Sequence, residues 1–229
     1  MSAVETSFFS QPQIKIGDIW SFDDWQLYLA QSPELEAAQP TVIMVNIPAG
    51  DGALDMSEAL ANRPIYNNRL LKFTLIVTQP EREWDEIRRT VENYCNGKRM
   101  RIVTPYDPYR YLFGRISSII MRRDRGMAYL DFEVQCDPWR YKHEVTSISV
   151  SYVGGNVAQH GVLKNERMWV LPTITTDAPV SITINGVTES IDAGTYKFTS
   201  FFLQEGDTPY TIEGPTTANV KIEYQEGSF

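Results

Sequence analysis

Few residues in this chain could do covalent or metal chemistry. There are two cysteines, Cys95 and Cys136, and two histidines, His143 and His160. Structural zinc takes four Cys or His ligands, so a site would need all four to converge, and no CxxC pair begins one. The sequence carries no GxSxG, HExxH, GxxxxGKS/T or GxGxxG, the usual marks of nucleophilic, zinc-hydrolytic and phosphate-binding sites. A Ser–His–acid triad would have to use His143, at an expected domain junction, or His160, in an expected loop over Gly154–Gly161. Surface or packing roles are expected for both. Asp23 and Asp24 lie between Trp20 and Trp25, an arrangement seen where carboxylates and rings handle sugars. Adjacent strand residues point to opposite faces, however, so solvated acids beside core tryptophans are expected. Asp51 and Asp55 bracket Gly-Ala-Leu but lack the spaced oxygens and closing Glu of a calcium loop. That segment reads as a turn. Catalytic, cofactor-binding and metal-binding residues are all expected to be none, and the chain reads as a non-enzyme.

The basic residues from Lys98 to Arg125 alternate with Tyr106, Tyr109, Tyr111 and Phe113. Nucleic-acid grooves look like this, and so does any strand with one wet face. A net charge of −8 and a pI near 4.9 favour the wet face. The charge is unevenly spread. Nine acids precede residue 61 against Lys15 alone, whereas Lys98–Arg125 holds eight bases against Asp107 and Asp124. Two readings stand: differently solvated faces, or an acidic edge of one subunit meeting a basic edge of the next.

At 229 residues the chain can hold one large or two modest domains, and its 42% hydrophobic and 22% charged content is ordinary for a globular protein. Aromatics at 12% suit flat β faces. No run of about 18 apolar residues is present, so no bilayer span is expected. The first residues lack a basic start before an apolar core, so the expectation is synthesis and assembly in the cytoplasm of the producing cell. The thiols should then be reduced and partly buried.

Apolar alternation predicts strands within residues 8–29, over Thr41–Ile47 and over Leu70–Thr78. Residues 30–40 read as a loop, and Pro48-Ala49-Gly50-Asp51-Gly52 as strong punctuation. One helix is predicted, over about 80–96. Pro80 opens it, Glu81, Glu83, Asp85 and Glu86 suit its positive end, and Asn96-Gly97 closes it. Trp84, Ile87, Val91, Tyr94 and Cys95 form its apolar stripe. Strands follow over Arg99–Thr104, Tyr111–Met121 and Met127–Gln135, with a turn at Arg123–Gly126 and a stop at Asp137-Pro138. From His143 the composition shifts to Thr, Ser, Val and Ile without helical period. Strands are predicted over Thr146–Val153, Trp169–Thr175, Val180–Ile184, Val187–Ile191, Thr195–Phe202, Thr208–Glu213 and Asn219–Gln225. Asn185-Gly186 is the strongest hairpin signal. The fold class is mainly β with one helix, in two domains, 1–142 and 143–229, the second a β-sandwich or jelly roll.

Five blocks in order resemble the distal tail protein family of long-tailed bacteriophages. They are Ile47-Pro48-Ala49-Gly50-Asp51-Gly52-Ala53-Leu54-Asp55, then Tyr66-Asn67-Asn68-Arg69, then Trp84 with Asn96-Gly97-Lys98. Tyr109-Arg110-Tyr111-Leu112-Phe113-Gly114-Arg115 and Cys136-Asp137-Pro138-Trp139-Arg140-Tyr141 complete the set. Ala49 is an insertion relative to the family's loop. Over residues 42–141 the resemblance implies a tail-tube-like β-sandwich with one helix, forming a ring. After Tyr141 only a β-rich pattern fits the family's galectin-like sandwich, and the length leaves no room for a large carbohydrate-binding insertion.

The implied role is a virion structural protein of the phage tail. A homohexameric ring would join the tail tube to a tail-associated tip protein, with receptor-binding proteins and tape measure as further partners, and leave a channel for DNA. Acids lining the channel would repel phosphate. Asp51, Arg69 and Arg115 are the candidate subunit-interface residues, the arginines through carboxylate pairing across subunits or within one. The alternative is a carbohydrate-binding adhesion module. In it Trp169, Tyr196, Phe201 and Tyr210 either stack on sugars or pack the core. A glycan-degrading enzyme is the third reading.

Overall fold

The computed structural model describes residues 12–152, 158–214 and 217–229. The chain is mainly β with one α-helix. It divides into two compact units, Met1–Arg140 with Phe229, and Tyr141–Ser228.

In the first unit the strands are β1 (Lys15–Ile16), β2 (Ile19–Trp20), β3 (Leu27–Leu29), β4 (Glu34–Leu35), β5 (Met44–Asn46), β6 (Ala53–Asp55), β7 (Arg69–Val77), β8 (Arg99–Val103), β9 (Arg110–Asp124) and β10 (Met127–Lys142). One antiparallel sheet runs β2-β1-β8-β9-β10-β7-β3, with β4 also on β7. Along β7 the residues Arg69, Leu71, Phe73, Leu75 and Val77 are buried, and the intervening ones are less so. Across the ladder Phe73 faces Phe132, their rings stacked at 4.6 Å. This period of two is what a sheet with one covered face requires. The cover is helix α1 (Trp84–Cys95), preceded by a 3₁₀ turn at Glu81–Glu83. Trp84, Val91 and Cys95 are its buried residues. Trp84 Nε1 donates to the Gln79 carbonyl at 2.9 Å, which satisfies the one polar atom of that ring. Gly97 takes φ 72 past the helix end, and Lys98 Nζ donates to the Tyr94 carbonyl at 2.6 Å. The expected left-handed stop and basic cap are both present.

Strand β10 runs through Asp137 and Pro138 instead of stopping there. Its register with β7 ends at Cys136 opposite Arg69. Pro138, lacking an N–H, therefore sits beyond the β7 ladder, where a proline costs that ladder no bond. Two-residue Arg125-Gly126, at φ 47 and 83, joins β9 to β10.

The second unit is a sandwich of two four-stranded sheets. Its strands are β11 (Thr146–Tyr152), β12 (Gln159–Asn165), β13 (Thr173–Thr176), β14 (Val180–Ile184), β15 (Val187–Ile191), β16 (Gly194–Tyr196), β17 (Gly206–Glu213) and β18 (Ala218–Tyr224). One sheet runs β11-β18-β13-β16 and the other β12-β17-β14-β15. Ile174, Ile182, Ile184, Leu163, Ile212 and Ile222 are among the fully buried residues of its core. Asn185 and Gly186, at φ 53 and 74, make the expected tight turn. Strand β12 begins at Gln159, within the expected Gly154–Gly161 loop, and His160 is on it, opposite Thr211. The expected strand Trp169–Thr175 begins only at Thr173, and Thr195–Phe202 ends at Tyr196. Residues 8–11 and Val153, with the first half of the Gly154–Gly161 loop (154–157), fall outside the described residues.

Candidate functional site

Residues 40–66 form an arm that stands apart from the core of its own unit. Its root is a neck between two chain segments. Thr41 N donates to the Ile65 carbonyl at 2.7 Å, Asn67 N to the Gln39 carbonyl at 2.9 Å, and Thr41 Oγ1 to Asn67 Oδ1 at 2.9 Å. Tyr66 anchors the neck through ring contacts with Trp139 at 5.5 Å and Phe229 at 4.6 Å, both in the same unit. Beyond the neck, β5 and β6 pair only with each other.

The arm has a defined internal shape. Asp55 Oδ1 accepts from the backbone N–H and hydroxyl of Ser57, at 2.9 and 2.5 Å, and these bonds lower its pKa. Ser57 Oγ in turn accepts from Ile43 N at 2.8 Å. The tip turns through Gly50 N donating to the Ile47 carbonyl at 3.1 Å, with Ala49 at φ 60 and Gly52 at φ 81. Asp51 is at this tip and exposed.

The apolar side chains are what set the arm apart. Val42 is 61% exposed, Met44 57%, Leu54 52% and Leu60 98%, and Ile43, Val45, Ile47, Met56 and Ile65 are exposed too. None of them joins the core of the unit. An isolated two-stranded hairpin is marginal in water, and a contiguous apolar patch of this kind marks an interaction surface.

A second surface of the same unit is basic. Register pairs Arg99 with Arg115 and Arg101 with Phe113, so these four side chains share one face of β8 and β9. The Arg99 guanidinium lies 4.6 Å over Phe113 and pairs with Asp137. Arg101 lies 4.6 Å over Tyr111. Arg115 Nη1 donates to the Gly97 carbonyl at 2.5 Å. Among the described residues neither Arg101 nor Arg115 pairs with a carboxylate. Tyr106 and Tyr109, on the β8–β9 connection, are strongly exposed.

Arg69, the third residue singled out in the sequence, is only 4% exposed. Its Nε and Nη2 are enclosed without a hydrogen-bond partner among the described residues. Desolvation and the neighbouring Arg140 both lower its pKa, and Arg140 itself reaches Asp107 at 3.2 Å. The structure does not bring Asp51, Arg69 and Arg115 together within one contact set.

The other candidates take structural roles. Asp24 Oδ2 accepts from Trp20 N at 2.7 Å, and Asp23 Oδ2 from Gln13 Nε2 at 3.1 Å, so both acids fix the loop before β3. His160 Nδ1 lies 3.0 Å from Thr211 Oγ1 on the sheet face. Cys95 and Cys136 are free and buried, and burial pushes both thiols up to about 12. Among the described residues no group of three His, Cys, Asp or Glu could hold a metal. Among the described residues no helix is long and apolar enough to cross a membrane. Phe201 and Tyr210 pack the core, the second of the two roles open to them in the sequence. Trp169 stacks on Phe202 at 5.0 Å, and Tyr196 on Phe198 at 5.9 Å.

Sequence reasoning missed Asn165. Its Nδ2 donates to the Met168, Leu203 and Gln204 carbonyls at 2.7, 3.3 and 3.1 Å and ties three loop positions together. Nothing in the local pattern marks it.

No family model matches the sequence, and no curated protein does. Among solved structures, the chain is similar to the crystal structure of the SPP1 Dit protein, described as a paradigm of the hub adsorption apparatus in phages infecting Gram-positive bacteria. The two share 15% identity at a TM-score of 0.61, over 93% of this chain and 98% of that one. At that identity the likeness is one of fold. A designed double-stranded β-helix also aligns, at 16% identity over 36% of this chain, but its TM-score of 0.26 carries no argument.

Proposed function

We propose that this chain is a structural subunit of a phage tail, the hub at its distal end. The observation that carries this reading is the end-to-end fold likeness to a phage hub protein, across both units. The exposed arm supports it independently, because a preformed apolar projection suits a protein that works by assembly.

In this reading residues 1–142 are the tail-tube-like, ring-forming part, and 143–229 a galectin-like sandwich. Six copies close a ring between the tail tube and a tail-associated tip protein, with receptor-binding proteins attached, and DNA passes through the bore. Asp51 and Arg115 act at subunit contacts, whereas Arg69 is enclosed within its own subunit and does not reach a neighbour. Acids lining the channel repel phosphate and avoid the Lys and Arg contacts by which nucleic acid is held. The subunit assembles in the bacterial cytoplasm and ends in the virion.

Light scattering and negative-stain imaging of the protein, alone and mixed with its tube and tip proteins, test this. A closed ring is the expected result. A monomer under every one of those conditions sinks the reading.

A second reading, glycan binding, has one observation in its favour. The outer face of β14 and β15 pairs Ser181 with Ser190 and Thr183 with Thr188, each at 2.8 Å, and the serine pair lines a groove of about 510 Å³ together with Asp192 and Glu213. Hydroxyls and acids can bond sugars, but this groove has no aromatic wall. Binding of cell-wall glycan by the monomer, lost on Glu213→Ala, would favour it over the hub.

A further inference from the structure

We propose that Arg69 and Arg140 form a site for a small tetrahedral oxyanion, inorganic phosphate or sulfate, within the first unit. The site stands apart from the ring reading and holds whether or not subunits close on one another.

Arg69 opens β7 directly after the neck and faces Cys136 across the β7–β10 ladder. Paired residues of an antiparallel ladder share a face, and so do Cys136 and Arg140, an even number of positions apart on β10. Both guanidinium groups therefore project from one side of the sheet, close enough for Arg140 to act on Arg69 electrostatically. Arg69 is 4% exposed. A buried cation without a counter-charge is costly, and a guanidinium does not escape that cost by giving up its proton. The chain supplies little negative charge there. Burial holds the Cys136 thiol proton to about 12, and Asp107 is engaged by Arg140 Nη1 at 3.2 Å. Among the described residues no carboxylate pairs with Arg69.

The unmatched donors specify the ligand. Nε and Nη2 of Arg69, both enclosed without a partner, form the parallel N–H edge of the guanidinium, which meets two oxygens of one anion. Nε of Arg140 is a third enclosed donor without a partner. Three donors suit three oxygens of a tetrahedral anion better than the two of a carboxylate. The Arg140 side chain is 34% exposed, and its movement gives a small ion a way in that a peptide would not have. Bound there, the ion ties the first residue of β7 to the far part of β10, whose Trp139 packs on Tyr66 of the neck.

Equilibrium dialysis of the full chain against radiolabelled inorganic phosphate tests this. About one ion per chain should bind, sulfate should compete, and chloride at the same ionic strength should not. Arg69→Met and Arg140→Met should each weaken binding by about tenfold or more. No bound phosphate at millimolar concentration overturns the proposal, and so does binding that survives both substitutions. Acetate that displaces phosphate at equal concentration overturns the choice of a tetrahedral ion.

Thermal unfolding gives a second readout. Phosphate at about a hundred times its dissociation constant should lift the first unit's transition by about 5 °C or more in the parent. It should not separate Arg69→Met in phosphate from the same chain in sulfate-free chloride beyond the general salt effect, which acts on both chains alike. In chloride alone Arg69→Met should be no less stable than the parent, because it removes an unpaired buried charge. An Arg69→Met chain weakened equally in chloride and in phosphate makes Arg69 a packing residue and overturns the proposal. If Arg69→Met does not fold, Arg140→Met, at a position a third exposed, reads the same outcomes.

Discussion

Strand β7 and the arm that precedes it use the same residues for opposite ends. In β7, Leu71, Phe73, Leu75 and Val77 all lie under cover. In the arm, Val42, Met44, Leu54 and Leu60 are in water. Alternating apolar sequence shows that a segment will be covered, and does not show whose atoms will cover it. The sheet's apolar area is covered within its own unit, while the arm's is left exposed.

The sharpest way to break that contrast is a matched pair of substitutions. Phe132→Ala, in the stacked pair with Phe73, should cost about 3–5 kcal/mol in urea unfolding. Leu60→Ser in the arm should leave the midpoint within about 0.5 kcal/mol of the parent, yet abolish self-association. A large loss of stability from Leu60→Ser would mean that the arm belongs to its own unit after all.

Alkaline unfolding separates the two units next. Unfolded thiols ionise near 9.0, whereas Cys95 and Cys136 in the first core hold their protons to about 12. Their contribution is therefore complete below pH 9 and is lost as pH rises toward 12, at up to about 1.4 kcal/mol per pH unit for each thiol. In the second unit the raised groups are Tyr210 and Tyr224, whose ordinary value is 10.0. The first unit should thus soften about one pH unit earlier, and replacing both cysteines with alanine should abolish the difference in a calorimetric pH series.

Glycines sharpen the contrast on a smaller scale. A Cβ on Gly114 would sit 2.8 Å from both Cys136 Sγ and the Gln135 carbonyl oxygen. Gly114→Ala should therefore cost about 1–3 kcal/mol in unfolding. At the arm tip the constraint is conformational, because Ala49 holds φ 60 in the left-handed region. Ala49→Gly should relieve at most about 1 kcal/mol, visible as slower amide exchange at Gly50 with no change in global unfolding.

Much of this was legible beforehand, and the misses have physical causes. The helix declared itself through its stripe, its acidic first turn and Asn96-Gly97, because each reports a local backbone demand. Asn185-Gly186 did the same for β14 and β15. Strand β12 stayed hidden because only Leu163 and Asn165 of it are buried, and because Gly161 looks like loop punctuation. That glycine instead makes room for Tyr210, whose ring would lie 2.4 Å from a Cβ there. Strand β10 was cut short at Pro138 because a proline's penalty depends on whether a neighbour needs its N–H, which the sequence does not state. For the candidate site, the punctuation around Asp51 was readable and the exposure of its flanking residues was not. Arg69 was noticed for its place in a motif, but its enclosure beside Cys136 is a tertiary fact.

The neck at Thr41, Ile65 and Asn67, braced by Tyr66, has a consequence for geometry. A subunit with one outgoing and one receiving end can propagate without limit, and only the turn made at each step decides whether the series meets its own beginning. A stiff wrist sets that turn. In the proposed ring, loosening it through Thr41→Gly with Tyr66→Ala should let the series of subunits spiral open into fibres, which negative-stain imaging would show.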